Sequence, residues 1–168
     1  KSLTDPMFAP VWKAIDDRKL PVLVHPTDPP GAEVMDMTKY DLSWSVGFMF
    51  DTTLAITRMI FDGFFDLYPK LKIIASHGGG TLPYLVGRFE KGDEVELASR
   101  RQMKRKPTDY LRHIYYDCIT YNPGALQYLV SVVGAMFGGA SASQIPVGQI
   151  AMLLGLFCLF FGAGRSEE

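Results

Sequence analysis

Imidazole is the one side chain whose ordinary pKa lies between pH 5 and 8, so proton transfer near neutrality and ligation of divalent metals both start from histidine. This chain has 3 histidines, His25, His77 and His113. His25 ends the apolar run "LPVLVHP" (20–26), and His77 ends "LKIIASH" (71–77), with "GGG" directly after it. One histidine at a strand end is most often a hydrogen-bonded structural group. Two at equivalent strand ends, one followed by Pro26 and the other by Gly78, point to a shared site for acid–base or metal chemistry. The three glycines lack the Lys and Ser/Thr of a phosphate-binding loop and the spacing of a dinucleotide fingerprint. They are better read as backbone freedom that lets the chain turn sharply beneath the His77 ring. His113, in "YLRHIYYD", lies on the N-terminal side of its strand, at the opposite end of the sheet, and is read as structural.

The elements that must carry these residues follow from short apolar runs bounded by breakers. "LPVLVHP" (20–26), "LKIIASH" (71–77) and "IYYDCIT" (114–120) read as buried parallel strands. A first helix spans Pro6 to about Lys19, with Asp5 as N-cap and Pro6 in the first turn. A second begins near Asp51 and places Phe61, Phe64, Phe65 and Tyr68 on one buried face before Pro69 stops it. A third runs through "LPYLVGRFEKGDEVELAS" with a break near Gly92, and a fourth through "PGALQYLVSVV" from Pro123. Strands alternating with helices imply a parallel sheet with helical crossovers. An open doubly wound sheet and a (β/α)₈ barrel both satisfy that order. Both collect their active groups at the C-terminal ends of strands, where His25 and His77 fall.

Composition narrows the partners. A chain of 168 residues with 48% hydrophobic content is long enough for one domain with a real core. A net charge of -1 gives no reason to expect nucleic acid or an anionic membrane. The basic run "RRQMKRK" (100–106) has no aromatic residue to stack a base and reads as solvated surface. Cys118 and Cys158 form no CxxC pair, which indicates a reducing, cytoplasmic setting and no disulfide framework. The N-terminal "KSLTDPMFAP" lacks the basic and apolar segments of a secretory signal.

In combination, "LPVLVHP", "DTTLAITRMIFDGFFDLYPKLKIIASHGGGTLPYLVGRFE" and "YLRHIYYDCITYNPGALQYLVSVVG" resemble the later part of the amidohydrolase-2 group. That group of metal-dependent enzymes includes aminocarboxymuconate-semialdehyde, γ-resorcylate and 5-carboxyvanillate decarboxylases. The resemblance covers roughly residues 3–134. It implies a partial (β/α)₈ TIM barrel, about half of the whole, with a divalent metal, zinc or manganese, at the C-terminal face. It makes His25 a metal ligand and His77 the catalytic histidine beside the metal-bound water. It makes Arg88 a substrate-binding arginine that grips a carboxylate, in some members across a dimer interface. Trp44, in "YDLSWSVGF", falls where family members place an aromatic pocket wall; core packing is the alternative for it. The implied reaction is nonoxidative decarboxylation of a small aromatic or unsaturated carboxylic acid. Hydrolysis or hydration on the same scaffold, and an inactive barrel fragment, are the alternatives. An incomplete barrel exposes strand edges, so a homo-oligomer is expected.

The departures from the group are equally specific. Its members carry an HxH pair at the end of the first barrel strand, and no histidine precedes His25 here. They carry an aspartate in a "GTDYP"-type motif, where this chain has "MFGGASASQIP" (136–146), with Gly139 and Ala140 in place of Ser or Thr and Asp. No acidic residue occurs between Asp117 and Glu167. One family ligand does not make a tight metal site. Residues 135–168 form an apolar tail outside the resemblance, and "IPVGQIAMLLGLFCLFFGAG" (145–164) approaches the length of a membrane span. A membrane helix, an apolar helix buried on a partner, and a segment unrelated to the family part compete for it. The abrupt end of the resemblance favours the last.

Overall fold

The computed structural model describes residues 1–27, 29, 31–95, 102–111 and 113–136. The apolar tail from residue 137 on, with Cys158 and the rest of "MFGGASASQIP" after Met136, lies outside the described residues. So do Arg100 and Arg101.

Three strands form one parallel sheet in the order β1 (Pro21–Val24), β2 (Lys72–Ala75), β3 (Ile114–Tyr116). Before β1, a short 3₁₀ turn (Pro6–Phe8) leads into helix α1 (Ala9–Arg18). The Asp5 carboxylate accepts from the Met7 N–H at 3.0 Å, satisfying a donor that the helix start leaves free. Between β1 and β2 come a π-helical turn (Ser43–Gly47), helix α2 (Phe48–Phe61) and the single turn α3 (Phe64–Leu67). Helices α4 (Leu82–Glu94) and α5 (Pro107–Leu111) precede β3, and α6 (Pro123–Met136) follows it.

Alternation along the strands decides where the core lies. Val24, Ile73, Ala75, Ile114 and Tyr116 are buried and join Trp12, Ile56, Met59, Ile60, Phe64, Phe65 and Leu129 in one cluster under the helices. Leu23, Ile74 and Tyr115 align in register on the other face. Leu23 is 47% exposed, and Ile74 and Tyr115 are only half-buried. The expectation of buried strands therefore holds for one face of the sheet. Three strands cannot close a barrel, whose inner face is covered only by closure.

Other differences have local causes. The expected single helix from Asp51 to Tyr68 is two. The chain leaves α2 at Asp62 and takes a left-handed conformation at Gly63 (φ 65°). A Cβ there would stand 2.7 Å from the Gln102 carbonyl oxygen, so Gly63 is both a stop signal and a contact. Phe64 and Phe65 are buried as the spacing predicts, while Phe61 and Tyr68 pack only partly against the core. Helix α4 runs through Gly92 without a break and ends at Glu94. The strands end earlier than their apolar runs, at Val24, Ala75 and Tyr116.

The basic run is only in part a solvated surface. The Lys104 and Arg105 N–H groups donate to the Tyr110 hydroxyl at 2.9 and 3.0 Å, and that hydroxyl donates to Asp66 at 2.5 Å. Arg105 lies over the Tyr110 ring and 3.8 Å from Asp66, and its guanidinium meets His113 at 3.2 Å. This network sits at the end of the sheet where β3 begins. Burial lifts the Asp66 carboxyl, but the Tyr110 hydroxyl, the Lys104 N–H and the Arg105 charge outweigh it and hold it below the usual carboxylate range. A folded value below the unfolded one gives stability that is complete above the unfolded pKa and is lost as pH falls through the folded pKa. Asp66→Asn is therefore expected to cost about 1–2 kcal/mol at pH 7 and to flatten the loss of stability below about pH 4 in urea titrations. An acid limb identical to that of the parent chain would contradict this.

Candidate active site

The three strands end in step. Val24 pairs with Ala75, and Ala75 with Tyr116, so the next residue of each strand, His25, Ser76 and Asp117, emerges at one rim. The ladder continues past the strand ends through Ser76 N–H to Val24 O at 3.3 Å and Asp117 N–H to Ala75 O at 3.2 Å. The buried Ser76 hydroxyl adds a bond to Val24 O at 2.8 Å. These ties hold the exit of β2 against the exit of β1.

His25 and His77 meet on that rim, with ring centroids 5.1 Å apart and planes at 61°. Phe48, at the start of α2, completes a trio. Its ring stacks on His77 at 5.8 Å and meets His25 edge-on at 5.9 Å. His25 Nδ1 stands 2.7 Å from the Pro26 carbonyl oxygen. A carbonyl only accepts, so Nδ1 carries a proton, which leaves Nε2 as the nitrogen that can present a lone pair. His77 Nδ1 is buried and has no hydrogen-bond partner among the described residues. Burial is the main cause that pushes the His77 pKa below its ordinary value. Asp117 pulls it back up and His25 adds to the depression. His77 is therefore neutral at pH 7.

The His77 backbone is unusual for a residue with a Cβ. Its φ is 55°, and Gly78, Gly79 and Gly80 continue at 62°, 80° and 64°. A left-handed residue costs roughly 1–2 kcal/mol. The buried Asp117 carboxylate accepts from Gly78 N–H at 2.8 Å and from Ile119 N–H at 3.1 Å. A hydrogen bond to a charged acceptor contributes about 1.5–3 kcal/mol, enough to offset that cost. The glycines also let other groups come close: a Cβ on Gly79 would lie 2.8 Å from the Tyr116 ring.

Beside His77 opens a cleft of about 320 Å³ lined by Trp44, Met49, Gly80, Thr120 and Tyr121 among others. Trp44 is 58% exposed, so core packing does not describe it. Its ring faces that of Tyr121 at 6.3 Å. Arg88 is not part of this cleft. It is exposed on α4 and lines a separate groove with Phe61, Leu85 and Phe89. His113 lies with Arg105, away from the rim, as its strand position indicates.

The residues present do not complete a metal centre. The two imidazoles offer two nitrogen donors, and no group of three or more His, Cys, Asp or Glu that could hold a metal ion occurs among the described residues. Asp117, Ser76 and Phe48 were not singled out from the sequence. The "YYDC" run does contain a usable signal, an acidic residue at a strand end. A strand taken through residue 120 puts Asp117 in its middle, which masks the signal.

Comparison with known proteins agrees with this architecture. A family model described as amidohydrolase matches residues 1–136. The 2-amino-3-carboxymuconate-6-semialdehyde decarboxylase of Dictyostelium discoideum is 33% identical over 135 residues, which are 80% of this chain and 37% of that protein. The structure of 5-carboxyvanillate decarboxylase from Sphingomonas paucimobilis superposes with a TM-score of 0.71 at 28% identity, over 80% of this chain and 42% of that one. A 5-carboxyvanillate decarboxylase from Novosphingobium aromaticivorans, solved with bound manganese, shares the fold with a TM-score of 0.71 at 24% identity, over 80% of this chain and 41% of that one. This chain thus spans roughly two fifths of the length of these three proteins. Its sheet corresponds to part of their (β/α)₈ barrel. The chain belongs to the amidohydrolase family.

Proposed function

We propose that this chain carries the later part of a nonoxidative decarboxylase acting on a small aromatic or unsaturated carboxylic acid. The observation that carries the proposal is the pairing of His25 with a neutral, half-buried His77 at the rim, beside a cleft walled by Trp44. Relatives that decarboxylate such acids support it.

Loss of CO₂ breaks the bond between the carboxyl carbon and its neighbour and leaves the electron pair on that neighbour, which must take up a proton. His77 suits this transfer. An imidazolium whose pKa is lowered by burial is a stronger acid than imidazolium in water, so a proton gained from solvent passes readily to carbon and leaves the ring neutral. Trp44 offers an aromatic wall for the acid, and Phe48 supports the His77 ring from behind by stacking on it. His25 Nε2 would suit a divalent metal, zinc or manganese, as a single ligand, and the described residues do not supply the other donors. Arg88, exposed and outside the cleft, suits a carboxylate held by a second copy of the chain, which ties the proposal to a homo-oligomer.

The test is release of labelled CO₂ from carboxyl-¹³C acids, namely 5-carboxyvanillate, 2,6-dihydroxybenzoate and the aminocarboxymuconate semialdehyde, in the presence of zinc or manganese. Release from at least one is expected. A chain that binds neither metal and leaves all three acids intact would overturn the proposal in favour of an inactive barrel fragment. Hydrolysis of an amide or ester without CO₂ would favour the hydrolase alternative.

A further inference from the structure

We infer that Asp117 is a positioning residue whose carboxylate holds the left-handed turn beginning at His77 and so sets where that imidazole stands on the rim. The inference rests on the proposed role of His77, although its test needs no substrate. Asp117 is 4% exposed, and a single oxygen of it accepts both the Gly78 and the Ile119 N–H groups. The Ile119 bond closes the local turn after β3, as an aspartate two residues upstream commonly does. The Gly78 bond is of another kind. It crosses 39 residues and joins the exit of β3 to the exit of β2.

The packing around this bond makes it directional. A Cβ on Gly78 would stand 2.9 Å from Thr120 Cγ2, so the turn is seated directly against the segment that Asp117 organises. His77 precedes Gly78 with φ at 55°, a conformation that relaxes toward the extended region unless its neighbours fix it. Relaxation would swing the ring off Phe48, on which it now stacks with the planes 26° apart. Ser76 anchors the other side of the same residue to β1. His77 is thus flanked by ties to both neighbouring strands, through Ser76 to β1 and through Gly78 to the Asp117 side chain after β3.

The experiment uses the full ¹⁵N-labelled chain and compares Asp117→Ala with Asp117→Asn. In Asp117→Ala, the Gly78 amide is expected to exchange about tenfold or more faster, and the Phe48–His77 ring contact to vanish from nuclear Overhauser spectra. The Ile73 and Ile74 amides should stay within about threefold of the parent. Asp117→Asn, whose amide oxygen accepts at the same place, should keep the ring contact and hold Gly78 within about threefold. The inference is overturned if Asp117→Ala leaves Gly78 and the ring contact unchanged. It is equally overturned if Gly78, Ile73 and Ile74 all accelerate together, or if Asp117→Asn behaves like Asp117→Ala. Should Asp117→Ala not fold, a scalar coupling across the hydrogen bond between Gly78 N and Asp117 Cγ in the parent decides. Its presence supports the inference and its absence refutes it. Failure of CO₂ release would remove the proposed function and leave these readouts intact.

Discussion

Gly80→Ala is expected to destabilise the chain by about 3–5 kcal/mol, lowering its melting midpoint by roughly 10 °C or more. Two independent effects add. At φ 64° and ψ -122°, Gly80 occupies a region that residues with a Cβ avoid. A methyl group there would lie 2.5 Å from the Met49 carbonyl oxygen and 2.7 Å from Thr53 Oγ1, neither of which is free to move. Met49 O already accepts from the Thr53 hydroxyl at 2.6 Å, and Thr53 Oγ1 accepts from Thr81 N–H at 2.9 Å, linking α2 to the start of α4. Gly87→Ala provides the contrast. Gly87 is an exposed position inside α4 with no atom of the described residues within 4 Å of an added Cβ, so alanine there should stabilise by up to about 1 kcal/mol. Thermal denaturation of both variants checks the pair. Equal and small effects of the two substitutions would mean that the turn after His77 is not built as described.

The second large effect concerns chemistry. His77→Asn should lower the rate of CO₂ release by about a hundredfold to ten-thousandfold, the range of a general acid–base group, with little change in stability. Asparagine is chosen because it tolerates a positive φ better than other replacements, so the turn survives while the proton carrier is lost. The parent rate should fall as pH rises through the His77 pKa, which burial places below the ordinary value of about 6.5, because the protonated ring delivers the proton. The variant should lack that dependence. A His77→Asn chain with the parent rate and the parent pH profile would remove His77 from the reaction.

How much of this was legible in the sequence depended on the range of the interaction involved. Short apolar runs marked the three strands, and Asp5 with Pro6 marked the start of the first helical segment, because those signals act over a few residues. Meeting of His25 and His77 followed from parallel topology alone, since equivalent strand ends share a rim. The break at Gly63 was missed because its cause is partly a contact with Gln102, far along the chain. Asp117 was missed for a related reason. "IYYDCIT" is apolar enough to read as strand throughout, and only the pairing with β2, which ends at Ala75, shows that the chain turns at Asp117. Arg88 illustrates the reverse: family resemblance supplied it, and the fold of a single chain does not bring it to the cleft.

The proposed chemistry needs two histidine rings side by side at the rim, with His25 holding a proton on Nδ1. Long-range ¹H–¹⁵N correlation of the histidine side chains, combined with ring-to-ring Overhauser contacts, measures this directly. It should show His25 protonated at Nδ1 at pH 7.5, a cross-peak between the His25 and His77 rings, and none from either to His113. A His25 ring protonated at Nε2 alone, with no cross-peak to His77, would contradict it.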